Sequence, residues 1–271
     1  MPYFPPLNQQ MRGEIRATVR SSKGDEQALE RVSQLCQENE HLSGFSFEFE
    51  DDFIDIAQNG RHLCIPRSVP PVKYVLLAYG YTEWLKRKYT NPGFCEVAPG
   101  DVVIDCGAYI GGFSLGVAET AGQVLCFEPS PVNFACLKKN ANHFPNLRSY
   151  PIGLGSRNET LQLNISSSSV EHSFLDPDRG HARGQHAVQV KTIETVLSEE
   201  KIEQLDFLKI EAEGFEIEVF KGLCDIRPRK IAIDVSPERN GESPREFFVS
   251  QLEAMKYDLA LRGNVLFGVL T

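Results

Sequence analysis

The segment Asp105-Cys106-Gly107-Ala108-Tyr109-Ile110-Gly111-Gly112 ends one short apolar run and opens a helical stretch. Glycines at such a turn let the backbone bend sharply and let a ligand approach it closely. Glu128 closes the next apolar run, 23 residues after Asp105. A carboxylate there can accept hydrogen bonds from the hydroxyls of a ribose, so the pair of features suits an adenosine-bearing ligand. Two ligand types compete. A dinucleotide fingerprint reads G-x-G-x-x-G and sets backbone amides against a pyrophosphate. Here the first glycine of that fingerprint is replaced by Asp105, and Tyr109 stands two residues after Gly107. An acid at that point repels a pyrophosphate and favours a cation such as the ammonium of a methionine moiety, which points to S-adenosylmethionine rather than NAD. The plainer alternative is that Asp105 and the glycines only shape a strand-to-helix turn.

Val103-Ile104-Asp105-Cys106-Gly107-Ala108-Tyr109-Ile110-Gly111 resembles motif I of the class I S-adenosylmethionine-dependent methyltransferases. Phe127-Glu128-Pro129-Ser130-Pro131, Asn140 and Asp206-Phe207-Leu208-Lys209-Ile210-Glu211-Ala212-Glu213-Gly214 narrow the resemblance to the FkbM type, over roughly residues 79–235. There are two departures: Tyr109 stands where that family usually has Asn, and Glu211 where it has Asp. The resemblance implies S-adenosylmethionine as cofactor and O-methylation of a hydroxyl on a sugar, glycan or secondary metabolite. It also implies a donor site drawn from Glu83, Asp105, Gly107, Ala108, Tyr109, Gly111, Glu128, Pro129 and Gly153, the last leaving room near the adenine.

Methyl transfer from a sulfonium is an in-line displacement that mainly needs alignment and exclusion of water. A hydroxyl acceptor must also lose its proton as it attacks. The catalytic candidates are Glu211 and Glu213 after the fourth strand, Asp234 inside the fifth, and His172 in a long polar insertion at 164–186. Each has a structural rival. The two glutamates fit a solvated loop or a charge pair with Lys209, Asp234 fits a loop cap, and His172 fits a surface histidine. His181 and His186 share the insertion, which reads as a lid. A divalent metal is conceivable, but no ligand spacing marks one.

The elements that must position these residues are short apolar strands alternating with helices from about residue 99 onward. That pattern means parallel crossovers and an α/β, doubly wound, Rossmann-like sheet, whose ligands sit beyond the carboxyl ends of the strands. The expected fold is a seven-stranded, mostly parallel sheet closed by a hairpin over 257–270, with an N-terminal helical and mixed extension. Residues 1–98 are that extension, expected to cap the acceptor site, and 99–271 the donor-binding catalytic domain. Ser243-Pro244-Arg245-Glu246 reads as a capping box. Spacing predicts helices near 25–40 and around Val72 to Tyr79 and a strand at Phe45 to Phe49, and Trp84 reads as a core aromatic.

Composition sets the outer bounds. With 37 acidic and 28 basic residues, the 271-residue chain carries a formal charge of −9, which disfavours a nucleic-acid partner. No apolar run is long enough for a membrane span, and the N-terminal stretch lacks the apolar core of a secretory signal. Seven cysteines without a C-x-x-C pair suggest reduced thiols and a cytoplasmic setting. The partner expected is a small-molecule or glycan hydroxyl acceptor; oligomeric state leaves no signature. Besides the methyltransferase, a non-catalytic adenosine-binding module and an NAD-dependent oxidoreductase stay open.

Overall fold

The structure is a computed structural model. It describes residues 7–23, 25–38, 44, 46–68, 78–166, 173–174, 182–239 and 241–271.

Seven strands form the central sheet: β4 (Val102–Cys106), β5 (Gln123–Phe127), β6 (Leu147–Tyr150), β10 (Phe207–Ile210), β11 (Lys230–Asp234), β12 (Tyr257–Arg262) and β13 (Val265–Leu270). Their order is β12-β13-β11-β10-β4-β5-β6. β4 pairs in parallel with β5 and β10, β5 with β6, and β10 with β11, while β13 runs antiparallel to both neighbours. The chain therefore leaves β4 for β5 and β6 on one side and returns to β10 on the other. The order reverses between β4 and β10, the switch point beyond whose carboxyl ends ligands of such sheets bind. This is the expected seven-stranded, mostly parallel sheet.

Alternation along the strands builds two cores. Val103, Val124, Phe207, Ala232 and Phe267 join α3 (Tyr81–Lys88), α4 (Gly112–Val117) and α5 (Pro131–Ala141) on one face. Ile104, Leu125, Leu208, Ile231 and Leu266 join α6 (Ile193–Glu200), α7 (Glu216–Lys221) and α8 (Arg245–Ala254) on the other. Because side chains alternate with a period of two, Asp105, Lys209 and Asp234 all belong to the first face.

The N-terminal part holds α1 (Gln9–Arg20), α2 (Asp25–Glu38) and a meander of β1 (Ser46–Phe49), β2 (Phe53–Gln58) and β3 (Arg61–Pro66). Asn59 and Gly60, at φ 51° and 78°, make the tight turn between β2 and β3. Met11, Val32, Ile54 and Ile65 enter the same core as the first face of the sheet. Asn140 of α5 fastens the meander to the sheet domain by accepting from Cys64 N at 2.7 Å and donating to Cys64 O at 3.0 Å.

Several expectations need correction. β8 (Glu159–Ser166) and β9 (Ala182–Lys191) pair antiparallel and, with β7 (Gly153–Leu154), form a small sheet. The two strands run further into the presumed loop at 164–186 than expected, over 164–166 and 182–186, and of the residues between them only Ser173 and Phe174 are described. Trp84 is 59% exposed and is no core aromatic. The capping box forms only in part: Ser243 Oγ accepts from Arg245 N at 3.3 Å and donates to Val235 O at 2.5 Å, and among the described residues no bond runs from Glu246 back to Ser243. Of the helix expected around Val72 to Tyr79, residues 69–77 lie outside the described residues.

Candidate active site

Parallel pairing sets Lys209 of β10 directly beside Asp105 of β4. Their side chains are 2% and 0% exposed, with Lys209 Nζ 2.9 Å from Asp105 Oδ1. Nζ also donates to the carbonyls of Cys106, at 3.1 Å, and Gly107, at 2.8 Å. Burial disfavours the ammonium, but Asp105 and Glu211 beside it hold its pKa above the ordinary lysine value. Ser114 Oγ donates to Asp105 Oδ2 at 2.5 Å. The charge of Asp105 is therefore met from inside the protein, and the electrostatic ground for expecting a ligand cation against it is removed.

The network continues outward. Lys209 Nζ lies 3.4 Å from Glu211 Oε2, and Lys88 Nζ lies 2.6 Å from Glu211 Oε1 and 2.8 Å from Asp234 Oδ2. Asp105, Lys209, Glu211, Lys88 and Asp234 thus alternate in charge across the ends of β4, β10 and β11. Burial pushes the Glu211 carboxyl up, but Lys209 and Lys88 override it and hold it down at about 2. Asp234 Oδ1 accepts from Ser236 N at 2.8 Å and Oδ2 from Tyr89 OH at 3.3 Å. Asp234 thus caps the loop after β11, the structural alternative to a cleft role.

Lys88 carries no sequence signal for this role. It arrives because α3 ends over the sheet, where Arg262 of β12 donates to the carbonyls of Arg87, Lys88 and Thr90. Such capping satisfies the free carbonyls of a helix end. On the same helix Tyr81 is buried, with Tyr109, Glu211, Asp105 and Glu128 among the charges that, after burial, raise its pKa. Glu83 faces away, half-exposed, 3.5 Å from Arg87 one turn along.

The glycine turn is fixed by close contact. Gly107 has φ 70°, and a Cβ there would stand 1.8 Å from Glu211 O. The amides of Gly107 and Ala108 both donate to Phe127 O at 3.0 Å. Gly111, at φ 94°, precedes α4. Tyr109 is left-handed at φ 52°, a conformation Asn adopts far more readily than Tyr. The Asn usual in the resembling family matches this backbone requirement.

Glu128 stands at the end of β5, 5% exposed. Its Oε2 accepts from Tyr109 N and its Oε1 from Ser130 N, each at 2.9 Å. Burial pushes its pKa up to about 7 against those two amides. With the side chain of Asn133, which also hydrogen-bonds the carboxylate, the amides hold it at the glycine turn and leave part of its acceptor capacity open. Pro129 follows, half-buried, into Ser130 and α5.

After β10, Glu213 and Gly214 take φ 49° and 92°. Glu216 holds this turn by accepting from Ala212 N at 2.7 Å and Gly214 N at 3.2 Å, and burial raises its pKa to about 7. Glu213 O accepts from Ser173 Oγ at 2.7 Å, so the segment after β8 reaches this loop. Phe174 fills the space over Gly153, where a Cβ would stand 2.7 Å from its ring. His172 and His181 lie outside the described residues, and His186 is exposed on β9. Among the described residues no group of three or more His, Cys, Asp or Glu is placed to hold a metal ion. Nor is any helix among them long and apolar enough to cross a membrane.

The structure thus brings Asp105, Gly107, Ala108, Tyr109, Gly111, Glu128, Glu211, Glu213 and Asp234 to one end of the sheet and leaves Glu83 and Gly153 facing elsewhere. Sequence reasoning missed Lys88, Tyr89, Ser114 and Glu216. Only the Asp105–Lys209 register left a trace, as a charged residue at matching positions of two apolar strands.

Comparison with known proteins adds the family. The Hexuronic acid methyltransferase AglP of Haloferax volcanii is 32% identical over 138 residues, 48% of this chain and 53% of that protein. The Methyltransferase sdnD of Sordaria araneosa is 28% identical over 154 residues, 45% of this chain and 60% of that protein. The chain thus spans little more than half the length of these curated relatives. The crystal structure of Methyltransferase FkbM from Methylobacillus flagellatus aligns with a TM-score of 0.49 at 15% identity, covering 95% of this chain and 58% of that one. The Methyltransferase FkbM domain matches residues 105–259, more than half of the chain and all four strand ends that build the site. The chain belongs to the FkbM methyltransferase family.

Proposed function

We propose that the protein is an S-adenosylmethionine-dependent O-methyltransferase that methylates a hydroxyl of a small molecule, sugar or glycan. The observation that carries the reading is Glu128: a buried carboxylate, oriented by two backbone amides, beside a glycine turn at the switch point. Beside the bonds from Tyr109 N, Ser130 N and Asn133, its remaining acceptor capacity suits a ribose hydroxyl of the donor, so the residues present fit the cofactor. Gly107, Ala108 and Gly111 keep the turn tight enough for a nucleoside to lie against the backbone, and the buried Tyr81 of α3 packs on the following Gly112. When bound, the sulfonium supplies an activated methyl group; the chain's own residues align the acceptor and exclude water.

A methionine ammonium needs a carboxylate other than Asp105, whose charge Lys209 already meets. Glu213, on the adjoining strand end, suits that role; Glu211 is already paired with Lys88 and Lys209. The hexuronic acid relative supports sugars and uronic acids as the first acceptors to try. A reducing compartment, the cytoplasm, suits the seven free cysteines.

Transfer of labelled methyl from S-adenosylmethionine to a panel of free sugars, glycosides and uronic acids tests the reading. Incorporation on a hydroxyl supports it. Donor binding without transfer to any acceptor favours the non-catalytic module, and thermal stabilisation by NAD but not by S-adenosylmethionine favours the oxidoreductase.

A further inference from the structure

We propose that Glu238 accepts the proton that the acceptor hydroxyl gives up as it takes the methyl group. This rests on the O-methyltransferase reading above and adds to it the residue that handles the proton.

The strand order supplies the geometry. Glu128 ends β5, the glycine turn follows β4, and Glu238 follows β11, with β10 between. Three strand spacings separate β5 from β11, about 14 Å at the usual sheet spacing. A donor held at Glu128 by its ribose would present its other end toward β10, leaving the residues after β10 and β11 to meet an acceptor. Glu238 lies on that side, in the turn that follows the end of β11 at Asp234.

The turn that carries it is braced from four sides. Ser236 N donates to Asp234 Oδ1 at 2.8 Å and Glu238 N to Ser236 O at 2.9 Å. Asn264 Nδ2 donates to Ser236 Oγ at 3.1 Å, and Ser243 Oγ donates to Val235 O. Arg239 next door forks onto Glu218 at 2.8 and 3.0 Å and reaches Gly214 O at 3.2 Å. The Glu238 carboxyl itself is half-buried and has no hydrogen bond or ion pair among the described residues.

The neighbouring carboxylates are unsuited to the task. Glu211 is held by two lysines at about 2, too weak a base for a hydroxyl. Asp234 already accepts from Ser236 N and Tyr89 OH and pairs with Lys88. Glu216 is buried and spent on the amides of Ala212 and Gly214. The charged groups near enough to act on Glu238 are Glu216 of α7, Asp234 of β11, Glu211 of β10 and Lys88 of α3. Burial and the three carboxylates raise its pKa to about 8 against the pull of Lys88. General bases work best with a pKa close to the operating pH.

In the step, the acceptor oxygen–methyl bond forms as the sulfur–methyl bond breaks. The hydroxyl proton passes to the Glu238 carboxylate, and S-adenosylhomocysteine leaves as a neutral thioether.

E238Q is the test, read in three ways. Carbon-13 NMR of labelled glutamate carboxyls should show one resonance titrating near pH 8 in the wild type and missing in E238Q. S-Adenosylhomocysteine affinity should stay within twofold. Methyl transfer to the acceptor found in the sugar and uronic-acid panel should fall about 10²-fold or more, and its rise with pH toward 8 should disappear. Full activity in E238Q, a pH profile abolished by His172→Asn instead, or a methyl group found on a carboxylate oxygen, which has no proton to give up, overturns the proposal while leaving donor use intact. A wild type that transfers methyl to nothing in the panel overturns the O-methyltransferase reading and this inference with it.

Discussion

Lys209 Nζ lies 2.9 Å from Asp105 Oδ1, and neither side chain reaches solvent. A buried pair of this kind is strongly held only while both partners are present. Lys209→Met should destabilise the protein by about 3–5 kcal/mol, since it strands the Asp105 charge. Lys209→Met combined with Asp105→Leu should cost less than the sum of the two single changes. Urea unfolding of the three variants and the wild type measures the cycle; additive losses contradict the coupling.

Gly107→Ala tests the close approach of the strand ends. A Cβ 1.8 Å from Glu211 O cannot be accommodated without moving the backbone, and φ 70° adds strain of about 1 kcal/mol. The expected outcome is a loss of at least about 3 kcal/mol in unfolding free energy and of donor binding. Gly100→Ala, at φ 87° with open space around it, should lose only the strain energy.

Lys88→Met removes the cation between Glu211 and Asp234. Glu211, with its pKa depressed to about 2, contributes stability above the unfolded value near 4.5 that is lost as pH falls through 2. In the variant the carboxyl should titrate closer to its ordinary value, and acid unfolding should begin at higher pH. Because Lys88 is a quarter exposed, the loss at pH 7 should be about 2 kcal/mol, below that of a fully buried pair.

Three other carboxyls act in the opposite direction. Burial, the largest cause in each case, raises Glu128 and Glu216 to about 7 and Glu238 to about 8. Their contribution to stability is present below the unfolded value near 4.5 and is lost as pH rises through 7 to 8. Melting temperature should therefore decline from about pH 5 to pH 8.5, and Glu128→Gln and Glu216→Gln should each flatten the decline. A melting temperature that climbs over that interval contradicts these shifts.

The sheet was readable because its strands are apolar runs bounded by Pro-Gly, Ser-Pro and Arg-Gly-Asn, and the final hairpin because its turn is explicit. The N-terminal meander was also readable: Asn59-Gly60 between Phe53–Gln58 and Arg61–Pro66 is a strong hairpin signal that went unused. Glu128 and the glycine turn were legible because both are local to strand ends. Lys88 was not, since its role depends on where α3 docks and on Arg262, 174 residues further on. Glu238 was hidden for a related reason: its distinction from Glu211 and Asp234 lies in which carboxylates the lysines reach, a property of packing rather than of spacing.

The account rests most directly on Glu128 as the acceptor for a donor hydroxyl, and calorimetry with S-adenosylhomocysteine tests it. The wild type should bind, with affinity that weakens as pH falls below about 7 and the carboxylate is protonated. Glu128→Ala should bind about 10- to 100-fold more weakly, the loss expected for hydrogen bonds to a charged group, and should show no such pH dependence. Equal affinity in the two proteins, or no binding by the wild type, would contradict the account.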